Sequence, residues 1–182
     1  MEKSPAVSAP AGLRSVPGAA LILLLAGGLA TIATAWGFEL IGGFVPCKLC
    51  LEQRVPYYAG LPLAAVALAL VWTGRAPGLR TLVLLLVAGI FAYGAGLGIY
   101  QSGAEWGFWD GPADCGGGAA GPQSALGMLE ALKTTRVVSC TEASWRMLGL
   151  SFAGWNAVAS AGLAALALVA LWTSRARAPI SG

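Results

Sequence analysis

The 182-residue chain contains no histidine. That absence excludes every mechanism built on an imidazole base or ligand, from Ser/His/Asp and Cys/His nucleophilic sites to histidine-ligated metals. Charge is scarce as well: 10% of residues are charged and 57% hydrophobic, whereas about a quarter of an ordinary soluble domain is charged. The 11 Lys and Arg against 8 Asp and Glu leave a formal charge of +3 spread thinly along the chain. No basic surface dense enough for nucleic acid can form from them, and that class of partner is not expected.

The places that lack charge define the architecture. Uncharged stretches of 24, 20, 24 and 28 residues separate Arg14 from Glu39, Arg54 from Arg75, Arg80 from Glu105 and Arg146 from Arg175. A bilayer core about 30 Å thick is crossed by about 20 apolar helical residues, because lipid offers no partner to an unpaired backbone N–H or C=O. The expected fold is therefore an all-α membrane protein, a single four-transmembrane-helix bundle over 1–182 with spans near 18–38, 56–72, 81–100 and 152–172. Trp36, Trp72, Tyr100, Trp106, Trp109, Trp155 and Trp172 fall at or just beyond the span ends, where a half-wet aromatic ring is stable. In the third span Gly94 and Gly98 are spaced as GxxxG, which fits either a close helix contact or the general abundance of glycine in such helices.

Four spans put both termini on one side. The termini and the 73–80 loop carry Lys3, Arg14, Arg75, Arg80, Arg175 and Arg177, and the other two loops carry Lys48, Arg54, Lys133, Arg136 and Arg146 with seven acids. Lys133 and Arg136 lie in the middle of a long loop and weigh less on insertion, so the termini are expected to be cytoplasmic. Arg14, the apolar run from Ala19 and the small residues Ala33, Thr34 and Ala35 imitate a cleavable signal peptide, but the run is long for one. Either way the next loop lies outside the cytoplasm.

The extracytoplasmic loops are then 39–55 and 101–151, and all four cysteines are in them: Cys47 and Cys50 as C-x-x-C, Cys115 and Cys140 separated by 24 residues. An even cysteine count outside the cytoplasm is the pattern of disulfides. Two structural staples are one reading, yet a C-x-x-C pair closes so short a loop that it restrains little unfolded-state entropy. Its usual value is redox, with a thiolate stabilised by nearby positive charge. Lys48 lies between the two cysteines and Arg54 follows Cys50 by one helical turn, just before Pro56 in the first turn of the second span. No metal is expected: only one C-x-x-C pair is present, which is poor for a zinc Cys₄ site, and a c-type haem would need histidine where Leu51 stands. Between Gln123 and Lys133, after Pro122, residues Ala125, Leu126, Met128, Leu129 and Leu132 form an apolar stripe on a short helix. It would lie on the membrane surface or pack on the spans, and either placement holds Cys140 near the bilayer.

The motifs P-C-K-L-C-L-E-Q-R at 46–54, D-C at 114–115 and S-C-T-E-A-S-W-R-M-L-G-L at 139–150, set in this topology, resemble the disulfide bond formation protein B (DsbB) family of bacterial inner-membrane quinone reductases. The resemblance implies a protein that reoxidises a soluble periplasmic thioredoxin-like dithiol oxidase (DsbA-like) and passes the electrons to ubiquinone or menaquinone. It also implies roles: Cys115 as the sulfur attacked by the partner's thiolate, Cys140 as its resolving companion, and Cys47 exchanging with Cys140. Cys50 would be the thiolate that meets the quinone, with Arg54 as the cation that stabilises it and the reduced quinone oxygen. The Gly116, Gly117, Gly118 run after Cys115 departs from the family pattern and makes that loop pliable. Physics independently asks for an external acceptor. A strongly oxidising periplasmic dithiol sits near about −120 mV and a structural disulfide below about −300 mV, an uphill gap of roughly 8 kcal/mol for two electrons; an oxidase, a B protein and a quinone are the known example of a chain that closes it.

Three other readings differ in testable ways. A vitamin K epoxide reductase-like enzyme is also a four-span bundle with C-x-x-C, but carries that motif late in the chain. A non-catalytic scaffold would use its cysteines only as staples. An electron importer needs cysteines inside its spans, and none is there.

Overall fold

The computed structural model describes residues 15–111 and 141–175. Five helices and one small hairpin make up this part: α1 Val16–Leu40, α2 Lys48–Glu52, α3 Val55–Thr73, α4 Pro77–Glu105, β1 Arg146–Met147, β2 Leu150–Ser151 and α5 Phe152–Arg175. Each expected span lies inside one long helix, and all four helices are long and apolar enough to cross a membrane. The helices run past the expected ends because the backbone keeps pairing into the interfacial zone. For the third span this matters: α4 continues beyond Tyr100 for more than a turn and carries Gln101 and Glu105 on helix rather than on loop.

Local chemistry sets the ends. Ser15 caps α1 by accepting from the Gly18 amide at 3.3 Å, and α3 stops at Gly74, whose φ of 67° is cheap only for glycine. Between α2 and α3 the turn at Gln53 and Arg54 stays in α-like geometry, so Lys48–Thr73 forms a nearly continuous 26-residue unit.

The four long helices pack in a ring, α1 against α3 and α5, and α4 against α3 and α5. Small residues let them approach: Ala64, Ala67, Ala164, Ala167 and Ala170 are buried, around the larger Leu21, Leu24, Leu84, Val87, Tyr57 and Phe91. The GxxxG pair resolves as a close contact. A Cβ on Gly98 would meet the Ala153 carbonyl oxygen and the Ala157 nitrogen at 2.8 Å, and one on Gly94 would meet Pro56 and Ser160, whereas Gly96 faces open space. The outward faces carry Leu23, Leu29, Leu82, Leu85, Val158, Leu168 and Trp172, an apolar surface suited to lipid.

The hairpin occupies residues that the sequence places in the second extracytoplasmic loop. Met147 pairs with Leu150, leaving Leu148 and Gly149 as a two-residue turn with φ of 53° and 84°. Positive φ at both positions is the type I′ pattern that matches strand twist. Trp155 Nε1 donates to the Met147 carbonyl at 3.1 Å, and Arg146 Nη2 to that of Glu105 at 3.3 Å, tying the hairpin to α5 and α4.

Candidate redox site

Cys47 is the N-cap of α2: its backbone is extended (φ −75°, ψ 170°) and its sulfur accepts from the Cys50 amide at 3.3 Å. The single turn that follows brings the two free thiols to an Sγ–Sγ distance of 3.0 Å, Cys47 buried and Cys50 half-buried. Cys47 donates its S–H to the Cys50 sulfur, and this bond, with burial second, pushes the Cys47 thiol well above its ordinary value.

Gln101, from the extra turn of α4, points its Nε2 at both sulfurs, 3.5 Å from Cys50 and 3.6 Å from Cys47. Charge developing on the Cys50 sulfur is therefore met by two donors, an S–H and an amide N–H. The chain of hydrogen bonds continues inward. Gln53 Nε2 donates to Gln101 Oε1 at 2.6 Å, Asn156 Nδ2 to Gln53 Oε1 at 2.7 Å and the Tyr57 hydroxyl to Asn156 Oδ1 at 2.8 Å, with Ser160 Oγ 3.1 Å from that hydroxyl. Three helices contribute, and each buried amide has a partner, so the network fixes the rotamers around the sulfurs.

Arg54 sits at the junction of α2 and α3 and is 8% exposed. Its Nη1 contacts Glu39 Oε2 at 2.5 Å, and its guanidinium lies 5.1 Å from the Trp36 ring centroid. Sequence reasoning weighed Lys48 and Arg54 as the charge next to the thiols. In the structure the group touching both sulfurs is the Gln101 amide, Arg54 faces Glu39, and Lys48 is on the exposed side of α2.

Cys50, Gln53, Arg54, Tyr57 and Asn156 line a half-open cavity of about 520 Å³ between α1, α3 and α5. Phe38, Phe44, Trp145 and Phe152 also line it as an aromatic cluster, with ring centroids 4.9–5.9 Å apart. An apolar chamber of this size with a few convergent polar groups is what a small planar ligand requires. A second, smaller chamber of about 20 Å³, room for one water, lies between Cys47, Cys50, Gln101, Glu105, Glu142 and Ser151. Glu105 Oε1 accepts from Gln101 Nε2 at 3.4 Å.

Of the expected site residues, Cys47, Cys50 and Arg54 are thus brought together. Cys115, Cys140, the Gly116–Gly118 run and the stripe at 123–133 lie outside the described residues. Gln53, Gln101, Asn156, Glu39 and Trp36 were not read as site residues from sequence, Trp36 and Glu39 entering there only as markers of a span end. Asn156 did carry a signal, as the chain's only asparagine and inside an apolar span.

The sequence model of the family described as disulfide bond formation protein DsbB matches residues 17–170. A disulfide bond formation protein B from Polaromonas naphthalenivorans is 32% identical over 170 residues, covering 87% of this chain and 94% of that protein. One from Marinobacter nauticus is 35% identical over 144 residues, covering 76% of this chain and 80% of that protein. No solved structure matches the chain at a significant level.

Proposed function

The chain belongs to the disulfide bond formation protein DsbB family, a multi-pass membrane protein and disulfide-forming oxidoreductase, and from that premise we propose that it oxidises a soluble periplasmic thioredoxin-like (DsbA-like) dithiol protein at the expense of a membrane quinone. The observation that carries this reading is the position of Cys50, at once 3.0 Å from the Cys47 sulfur and on the wall of a large apolar cavity. The cavity residues fit a quinone. Arg54 and the remaining N–H of the Gln53 amide offer donors for ring oxygens, Asn156 holds that amide in place, and the aromatic cluster offers flat contacts. When bound, ubiquinone or menaquinone supplies a two-electron, two-proton acceptor.

The chain's own groups do the rest. The partner's thiolate attacks Cys115 of a Cys115–Cys140 disulfide and releases Cys140 as a thiolate, and the partner's second thiol then displaces Cys115 and leaves the partner oxidised. The Cys140 thiolate attacks Cys47 of a Cys47–Cys50 disulfide and releases Cys50, Cys115 then displaces Cys47 from Cys140, and the resulting Cys47–Cys50 dithiol closes to a disulfide as two electrons and two protons pass to the quinone. The Gln101 amide holds both sulfurs during that closure. The orientation that serves this chemistry has the cysteine end periplasmic and both termini cytoplasmic, in the bacterial inner membrane. It is supported by the basic cluster at the far end of the bundle, where Arg80 Nη2 donates to the Ser174 carbonyl at 3.2 Å beside Arg75 and Arg175.

Purified protein in detergent, a reduced thioredoxin-like oxidase and a quinone whose absorbance falls on reduction test the reading. Continuous quinone-linked oxidation is expected. It should stop when any one of Cys47, Cys50, Cys115 or Cys140 is replaced by Ser, and in Arg54→Met the quinone KM should rise while exchange with the partner is unchanged. No turnover with any quinone would leave a disulfide-stapled scaffold as the better account.

A further inference from the structure

Arg54 is almost fully buried, and a cation in that position would dominate the electrostatics of an apolar chamber, because attraction between charges grows as water is excluded. It does not stand alone. Glu39, in the last turn of α1, lines the same cavity and holds the guanidinium through the Nη1–Oε2 contact, while the Trp36 ring lies over the group at 5.1 Å. The pair is net neutral, and its partners come from two different elements, so either charge could be lost without removing the other. Removing one partner of such a pair leaves an uncompensated buried charge.

We propose that Glu39 is the specificity-determining residue of this cavity: by pairing with Arg54 it keeps the ligand wall electroneutral, so that the chamber accepts an uncharged quinone ring and rejects one that carries a negative charge. The inference rests on the reading of the cavity as a quinone site and adds to it a charge rule that the cysteines and Arg54 do not imply. Arg54 without Glu39 would favour the opposite ligand, an anion. Glu39 acts through Arg54 and is a positioning residue in that sense. Its signature is a change in the ratio of two affinities rather than a loss of both.

The test compares two rings of nearly equal size and shape: an acidic hydroxynaphthoquinone, ionised at neutral pH, and its methyl ether, which is neutral. Binding is read from quenching of tryptophan fluorescence in the oxidised, detergent-solubilised full chain, which has no thiols to donate electrons and so does not turn over. The unaltered chain should bind the ether more tightly, and the affinity of the hydroxy ring should fall as pH rises through that ring's own ionisation. Glu39→Gln should raise the affinity for the anion about tenfold or more and change that for the ether little. Glu39→Asp should retain the original preference, and Glu39→Gln combined with Arg54→Gln should lose the gain.

Tighter binding of the anion by the unaltered chain, or an unchanged ratio in Glu39→Gln, would overturn the role of Glu39 and leave the quinone site standing. The first of these needs no variant, so poor folding of Glu39→Gln does not shield the proposal. Anion binding by Glu39→Gln with no binding of either ring to the unaltered chain would support the charge rule and remove the quinone reading. Absence of binding in every form would overturn both.

Discussion

The two thiols of the C-x-x-C motif are unequal because of where their hydrogen bonds run. Cys47 gives its proton to a bond with the Cys50 sulfur and is the more deeply buried of the two, so its own ionisation is driven upward, first by that bond and then by burial. In the fully reduced chain, alkylation of Cys47 should therefore rise only at pH above the ordinary thiol range. Cys50→Ala removes the larger cause and leaves burial, so the Cys47 profile should move to lower pH without reaching that of an exposed thiol. Mass-spectrometric quantification of the modified peptide across pH checks this, and an unmoved profile would show that burial alone sets the value. At this scale the short cysteine spacing and the cation one turn later marked Cys47, Cys50 and Arg54 as candidates from sequence, and the structure places all three around α2. Gln101 was not legible. Its importance depends on α4 continuing past Tyr100, and no local signal in Tyr100, Gln101 and Ser102 distinguishes another helical turn from the start of a loop.

Helix contacts give the same glycine two meanings within one turn. Gly98 lies against the backbone of α5, and Gly96 faces outward. Gly98→Ala should force α4 and α5 apart and lower the thermal midpoint in detergent, with a cost on the order of 1–3 kcal/mol for overpacking. Gly96→Ala adds a methyl group in open space and a better helix former, and should be neutral or slightly stabilising. Equal behaviour of the two variants would contradict the packing. The pair was visible in sequence as GxxxG, but which neighbour it meets is a property of the ring of helices and not of the third span. The hairpin was missed for a different reason. Its turn is Leu148–Gly149, and a leucine at positive φ is not a residue that announces a type I′ turn. The contacts from Trp155 and Arg146 compensate a turn that the local sequence does not favour.

For the whole molecule, the absence of charge made the four spans readable to within a few residues, because lipid imposes one solution on a long uncharged segment. Sidedness follows from sparse basic residues and is the point most open to experiment. A membrane-impermeant thiol reagent applied to intact cells after reduction should label Cys50, Cys115 and Cys140, with Cys47 following only as the pH is raised. Labelling that waits for the inner membrane to be broken would invert the molecule, and with it the compartment in which it forms disulfides.

The two chambers beside the cysteines differ in which sulfur they touch. The small one, with room for a water, reaches both; the large apolar one reaches Cys50, and Cys47 is not among the described residues on its wall. A ligand in the large cavity therefore meets one sulfur of the pair. The order of events is then a matter of addresses rather than of relative reactivity, as in a relay whose runners stand in separate lanes. Return of electrons would pass through the same Cys50 sulfur, so the arrangement fixes the route that electrons take and leaves their direction to the difference in potential between the thiols and the acceptor.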